Sequence, residues 1–234
     1  MRCHTGRDAA PRHLTGERPV TRPVLHDYWR SSASYRVRIA LNLLGIAYDA
    51  APVNLLTGAH RAAENLARNP QGLVPTLEID GHELTQSLAI IEYLHETNQP
   101  ASTLMPADAA GRHRVRALSH AIAMEIHPIC NLSVANHVAE ITGGGDEAKA
   151  AWMRTYIGKG LAALERMLDD PRTGRFCHGD TPTLADLCLV PQMYNARRWG
   201  VDLAALPKLV AIDTACTEME AFAAAHPDRI GAPA

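Results

Sequence analysis

Asp80-Gly81 limits the folds open to this chain more than any other pair of residues. It joins Pro75-Thr76-Leu77-Glu78-Ile79 to His82-Glu83-Leu84-Thr85. A two-residue Asp-Gly link is the signal for a type I′ turn, so these runs predict antiparallel strands. Upstream, Val24 to Trp29 reads as a strand, and Arg30-Ser31-Ser32 leads into a helix. That helix carries Val37, Ala40, Leu41 and Leu44 on one face, with Gly45 where a helix end tolerates positive φ. Ala47 to Val53 reads as a second strand and residues 59–67 as a second helix, before the break at Asn69-Pro70-Gln71-Gly72. After the hairpin, Ser87 is the expected N-cap of a third helix with Ile90, Ile91 and Leu94 on one face. The order β-α-β-α-β-β-α is complete by Glu96.

Strand signals stop there. Residues 97–108, with Pro100 and Pro106, suit a linker. Helical stretches follow at about 109–139, 146–169, 183–199 and 208–224, divided by Gly143-Gly144-Gly145, Pro171-Arg172-Thr173-Gly174 and Pro207. Thr183 and Asp186 have the spacing of a capping box. The expected organisation is a disordered tail over 1–22, an α/β domain over 23–104 and an all-helical domain over 108–234. The tail holds five arginines and no apolar core of a secretory signal.

Composition narrows the function. Of 234 residues 47% are hydrophobic and 21% charged, and the net charge of -2 offers no basic field for a nucleic acid. Five cysteines, odd in number and without a Cys-x-x-Cys pair, argue for a reduced, cytoplasmic setting rather than a disulfide framework. No apolar run approaches the roughly 18 residues of a membrane span. Twelve histidines include no His-Glu-x-x-His spacing, so no metal centre is expected.

Chemistry concentrates at Ser31-Ser32-Ala33-Ser34-Tyr35-Arg36, between the first strand and first helix. Free N–H groups and the helix dipole there favour an anion such as a thiolate. A thiol with pKa about 8.5 is only about 3% ionised at pH 7, and lowering it two units takes about 2.7 kcal/mol. A serine hydroxyl bonded to the charged sulfur contributes about 1.5 to 3 kcal/mol, and the helix end about 0.3 to 2. Taken locally, simple helix capping is the more ordinary role for the same serines, since caps are abundant.

The run Arg30-Ser31-Ser32-x-Ser34-Tyr35-Arg36-Val37-Arg38-Ile39-Ala40-Leu41 resembles the signature of zeta-class glutathione transferases, the maleylacetoacetate isomerases. The resemblance continues through Asn69 to Leu77, Gln86 to Leu94, Ile126-His127-Pro128, Asn131 to Val134 and Ala185 to Gln192, and covers about residues 23–230. It implies the glutathione transferase fold: a thioredoxin-like β-α-β-α-β-β-α domain followed by an all-helical domain. It also implies glutathione as cofactor, a small dicarboxylate substrate and a homodimer, with neither nucleic acid nor membrane as partner.

Carried over by position, the resemblance makes Ser31 the hydroxyl that stabilises the glutathione thiolate, with Ser32, Ala33 and Arg36 beside it. Val74 pairs with the tripeptide backbone, which requires Pro75 in the cis form. Gln86 and Ser87 hold the γ-glutamyl carboxylate and amine, and His60 falls near the glycyl end. His127 and Asn131 face the cleft. Arg30 and Arg198 are the candidates for the substrate carboxylates, because guanidinium matches carboxylate geometry. The implied reaction is thiolate addition to a conjugated double bond, rotation and elimination.

Two positions depart from the family pattern: its usual cysteine is Ala33 and its frequent tryptophan is Tyr35. Side reactions that use that cysteine are not expected here. Maleylpyruvate isomerase, a general glutathione-conjugating transferase and a non-catalytic binding module remain as alternative readings.

Overall fold

The computed structural model describes residues 22–99 and 101–232. The disorder expected of the tail therefore lies outside the described residues, except at Arg22, which pairs with Asp49 at 3.1 Å.

The first part of the chain is built on four strands, β1 (Val24–Asp27), β2 (Asp49–Pro52), β3 (Thr76–Ile79) and β4 (His82–Thr85), in the order β2-β1-β3-β4. β1 and β2 are parallel, with Val24 opposite Asp49. β3 lies antiparallel to β1, with Leu25 opposite Leu77, and β4 antiparallel to β3. The hairpin forms as the dipeptide predicts, with φ of 53° at Asp80 and 78° at Gly81. Helix α1 (Ser32–Leu43) buries Val37, Ala40 and Leu41 and ends before Gly45 at φ 66°. Helix α3 (Ser87–Thr97) buries Ile90, Ile91 and Leu94.

The expected second helix is split. A 3-10 turn over Ala59–Arg61 and α2 (Ala63–Arg68) flank an extended Ala62, and buried Asn65 ties them by donating to the His60 carbonyl at 2.8 Å. The first strand is shorter than expected, because Tyr28 already turns the chain: its carbonyl accepts the Ser31 N–H at 2.8 Å.

The second part is helical, with α4 (Ala109–His120), α5 (His127–Ile129), α6 (Leu132–Thr142), α7 (Gly145–Met167), α8 (Leu184–Arg198), α9 (Pro207–Thr217), α10 (Glu220–Ala224) and α11 (Pro227–Ile230). The single helix expected over 109–139 is interrupted twice. A π-helical turn spans Ala121–Ile126, and the His127 N–H reaches the Ile122 carbonyl. Pro128 explains it: lacking an N–H, and with a ring that crowds the carbonyl four residues back, it cannot continue an α-helix without a local change of winding. The second break falls at Cys130, after which Asn131 caps α6.

One hydrophobic core runs through both parts, from Leu25, Leu77 and Ile90 under the sheet to Leu118, Leu189 and Phe222 among the helices. Buried Arg38 of α1 crosses between the parts, bonded to Asp27 at 2.5 Å, to the Trp29 carbonyl at 2.9 Å and to the Ala225 carbonyl at 3.2 Å.

Candidate active site

Ser31 is the N-cap of α1. Its Oγ accepts the Ser34 N–H at 3.2 Å, and its own carbonyl accepts the Tyr35 N–H at 2.9 Å. A hydroxyl has one proton and two lone pairs, so capping leaves the proton free to be donated. Capping the helix and holding a thiolate are therefore compatible roles for one residue. Ser32 and Ala33 follow as the first two helical residues, both half-buried.

The Val74–Pro75 peptide bond is cis and leads directly into β3. Gln86 differs from expectation: it, and not Ser87, is the N-cap of α3, at φ 65°, and its side chain makes no capping bond. Its amide donates to Gln71 Oε1 at 2.7 Å. Ser87 is the first helical residue, buried, and accepts from Arg36 Nη1 at 3.2 Å. Arg36 is thus placed behind Ser87 and does not open onto the cleft; its Nε and Nη2 are buried without a partner.

His127, carried by α5, faces this group from the helical part. Burial and then the Arg36 charge push its pKa down to about 3, so the imidazole is neutral at physiological pH. Asn131 is committed differently, its Oδ1 accepting the Ser133 N–H and hydroxyl at 3.0 Å. His60 lies on the 3-10 turn, with a buried, unpartnered Nδ1 and a pKa lowered by burial and by Arg61.

Arg30 stacks over Trp29, 4.5 Å from its ring centre, and donates to the Tyr28 hydroxyl at 3.3 Å. Arg198, at the end of α8, stacks over Trp199 at 5.1 Å. The two guanidiniums sense one another: burial and then the Arg30 charge lower the pKa of Arg198. Neither has a carboxylate partner among the described residues, whereas neighbouring Arg197 is paired with Asp213 at 2.6 Å. Two like charges on neighbouring aromatic shelves, neither with a carboxylate partner, have the chemistry to take a dianion.

Tyr28 and Tyr194 belong to this group and were missed in the sequence. Tyr194 lies close enough to both arginines that each lowers its pKa, against the larger effects of burial and Asp228 that raise it. A tyrosine four residues before an arginine on one helix was the available signal. Cys130 is buried, which pushes its thiol up to about 11, so it stays protonated.

The residues present fit glutathione. An N-terminus of α3 without a side-chain cap, backed by a guanidinium with two unpartnered nitrogens, suits a carboxylate, and the free proton of Ser31 suits a sulfur anion.

Comparison with known proteins shows the family to which the chain belongs. Residues 25–102 match the glutathione S-transferase N-terminal domain and residues 146–227 the C-terminal domain. The chain is 67% identical over 206 residues to the maleylacetoacetate isomerase of Rhizobium meliloti (strain 1021), covering 88% of this chain and 96% of that one. A bacterial maleylpyruvate isomerase of the zeta class, solved in its holo form, superposes with a TM-score of 0.85 at 45% identity, covering 88% of this chain and 97% of the other. The maleylacetoacetate isomerase of Anaeromyxobacter dehalogenans 2CP-1, solved with dicarboxyethyl glutathione and citrate in its active site, gives 0.80 at 46% identity, covering 91% and 98%. By its sequence and by its fold the chain belongs to the glutathione S-transferase family, among the zeta-class maleylacetoacetate isomerases.

Proposed function

We propose that this chain catalyses the glutathione-dependent cis-trans isomerisation of maleylacetoacetate to fumarylacetoacetate. The observation that carries the reading is the unpaired Arg30 and Arg198 couple beside the Ser31 cap. A conjugating transferase for apolar compounds has no use for two neighbouring guanidiniums without carboxylate partners, while a dicarboxylate relieves their mutual repulsion. The bound dicarboxyethyl glutathione of the Anaeromyxobacter relative, a thiol joined to a dicarboxylate, is the kind of species such a site should hold.

Glutathione, when bound, supplies the thiolate that adds to the conjugated double bond, leaves it single and free to rotate, and departs with the trans product formed. Ser31 donates its free proton to the sulfur and so favours the ionised thiol. The N-terminus of α1 adds its positive potential at the same place. Arg30 and Arg198 hold the substrate carboxylates and the negative charge that spreads onto the conjugated oxygen after addition. Ser87 and Gln86 receive the γ-glutamyl end, Val74 before cis Pro75 offers its backbone to the tripeptide, and His60 stands near the glycyl end. Ser32 and Ala33 line the thiol site, while His127 stands behind it against Arg36 and Asn131 caps the helix that follows on the helical side. A homodimer in the cytoplasm belongs to the same reading; the four cysteines among the described residues, all free and buried, are compatible with a reducing setting.

The test is turnover of maleylacetoacetate and of maleylpyruvate by the purified protein, with and without glutathione. We expect both reactions to require glutathione, with the first substrate preferred. Ser31→Ala should cut kcat/KM about ten- to hundredfold, the weight of one hydrogen bond to a charged acceptor. Glutathione binding without isomerisation of either substrate would leave a conjugating enzyme or a binding module. Preference for maleylpyruvate would reassign the substrate.

A further inference from the structure

Two arginines on α1, two residues apart, are almost completely buried, Arg38 at 1% exposure and Arg36 at 2%. Arg38 is satisfied by a carboxylate and two carbonyls. Arg36 has one neutral partner, Ser87 Oγ at 3.2 Å, and its Nε and Nη2 have none. A buried cation without a counter-charge is strongly unfavourable, so a fold that keeps one has a use for an anion nearby.

The anion's place is fixed by Ser87. Its hydroxyl accepts from Arg36, which occupies a lone pair and leaves its single proton to be given elsewhere. Ser87 opens α3, where the first N–H groups lack helical partners, the dipole is positive and Gln86 provides no side-chain cap. His127 faces Arg36 as a neutral imidazole, so Arg36 supplies the charge at this spot.

Resting on the reading that glutathione binds here, we propose that Arg36 is a positioning residue for the cofactor. It acts through Ser87, whose hydroxyl proton it turns toward the γ-glutamyl carboxylate, and it provides that carboxylate's buried counter-charge without touching it.

The experiment is a calorimetric titration of the full chain with glutathione and with 4-aminobutyryl-cysteinyl-glycine, which lacks only that carboxylate. The wild type should prefer glutathione by about ten- to hundredfold, as for one hydrogen bond to a charged group. Arg36→Met should bring the two ligands to within about threefold by weakening glutathione alone, and Arg36→Lys should recover part of the preference. Equal weakening of both ligands, as expected of a purely structural arginine, overturns the proposal, as does an unchanged preference. Should Arg36→Met not fold, nitrogen-15 NMR of the wild type replaces it: the Arg36 side-chain resonances should shift with glutathione and not with the analogue, and equal shifts count against the proposal. Failure of the wild type to bind glutathione at all removes the underlying reading instead.

Discussion

His127 and Arg36 approach one another from the two halves of the chain, and the meeting has a consequence for acid stability. In the unfolded chain the imidazole takes a proton near pH 6.5. In the native state burial, and then the guanidinium, hold that step down to about 3. Between these values the unfolded state binds the extra proton, so stability present above about pH 6.5 is lost as pH falls, at up to about 1.4 kcal/mol per unit. His127→Gln removes the group and should remove that slope. Urea unfolding at pH 7 and pH 5 should therefore show the wild type losing up to about 2 kcal/mol more than the variant. Parallel losses would mean that the imidazole is as free to charge in the native state as in the unfolded one. Candidates for the site could be named at the residue level because Ser31, Arg30, Ser87 and Arg198 stand in local runs whose order along the chain carries the resemblance. The path from Arg36 to Ser87 was not legible, since it joins residues 51 positions apart through a buried side chain.

Among the elements, α8 shows a local signal doing more than it predicts. The Thr183 and Asp186 spacing marks a helix start, and Asp186 does accept the Thr183 N–H at 2.8 Å and its hydroxyl at 2.9 Å. Its other oxygen accepts the Cys177 N–H at 2.8 Å, which anchors the preceding loop to the helix. Asp186→Ala would bare two buried N–H groups, at about 1 to 3 kcal/mol each, so we expect a loss of about 3 to 5 kcal/mol by urea unfolding. Asp186→Asn, which keeps an acceptor, should lose less, and a loss below about 1 kcal/mol in the alanine variant would show that water satisfies those groups. Helix existence and type were readable because apolar period and caps are local properties. The π turn at Ala121–Ile126 was not, although Pro128 marked where continuous winding must fail. Proline says that a helix is disturbed; whether it ends, bends or widens depends on what packs against it. Here Gly160 of α7 faces Ile126 so closely that an added Cβ would overlap its side chain.

At the scale of the whole molecule, the sheet and the helices share one core and meet on α1. That helix packs on α3 from its own part, and on α8 and α10 from the other. Polar ties follow the same route: Asn42 donates to the Ala221 carbonyl at 2.9 Å, and Leu184 N–H to the Leu104 carbonyl at 2.9 Å. Phe222 of α10 is fully buried in the shared core although it is one of the last large residues in the chain. Phe222→Ala should therefore cost about 3 to 5 kcal/mol, as for other large-to-small core changes. The form of the loss says more than its size. If the core is one cooperative unit, calorimetry of the variant gives a single transition moved to lower temperature, with isomerase activity lost over the same range. If the halves were separate units joined at a surface, the helical part alone would melt early and a second, unmoved transition would report the sheet. Arg38 decides for the first outcome: its counter-ion Asp27 lies in β1 and one of its carbonyl partners beyond α10, so neither half can melt without stranding a charge buried in the other.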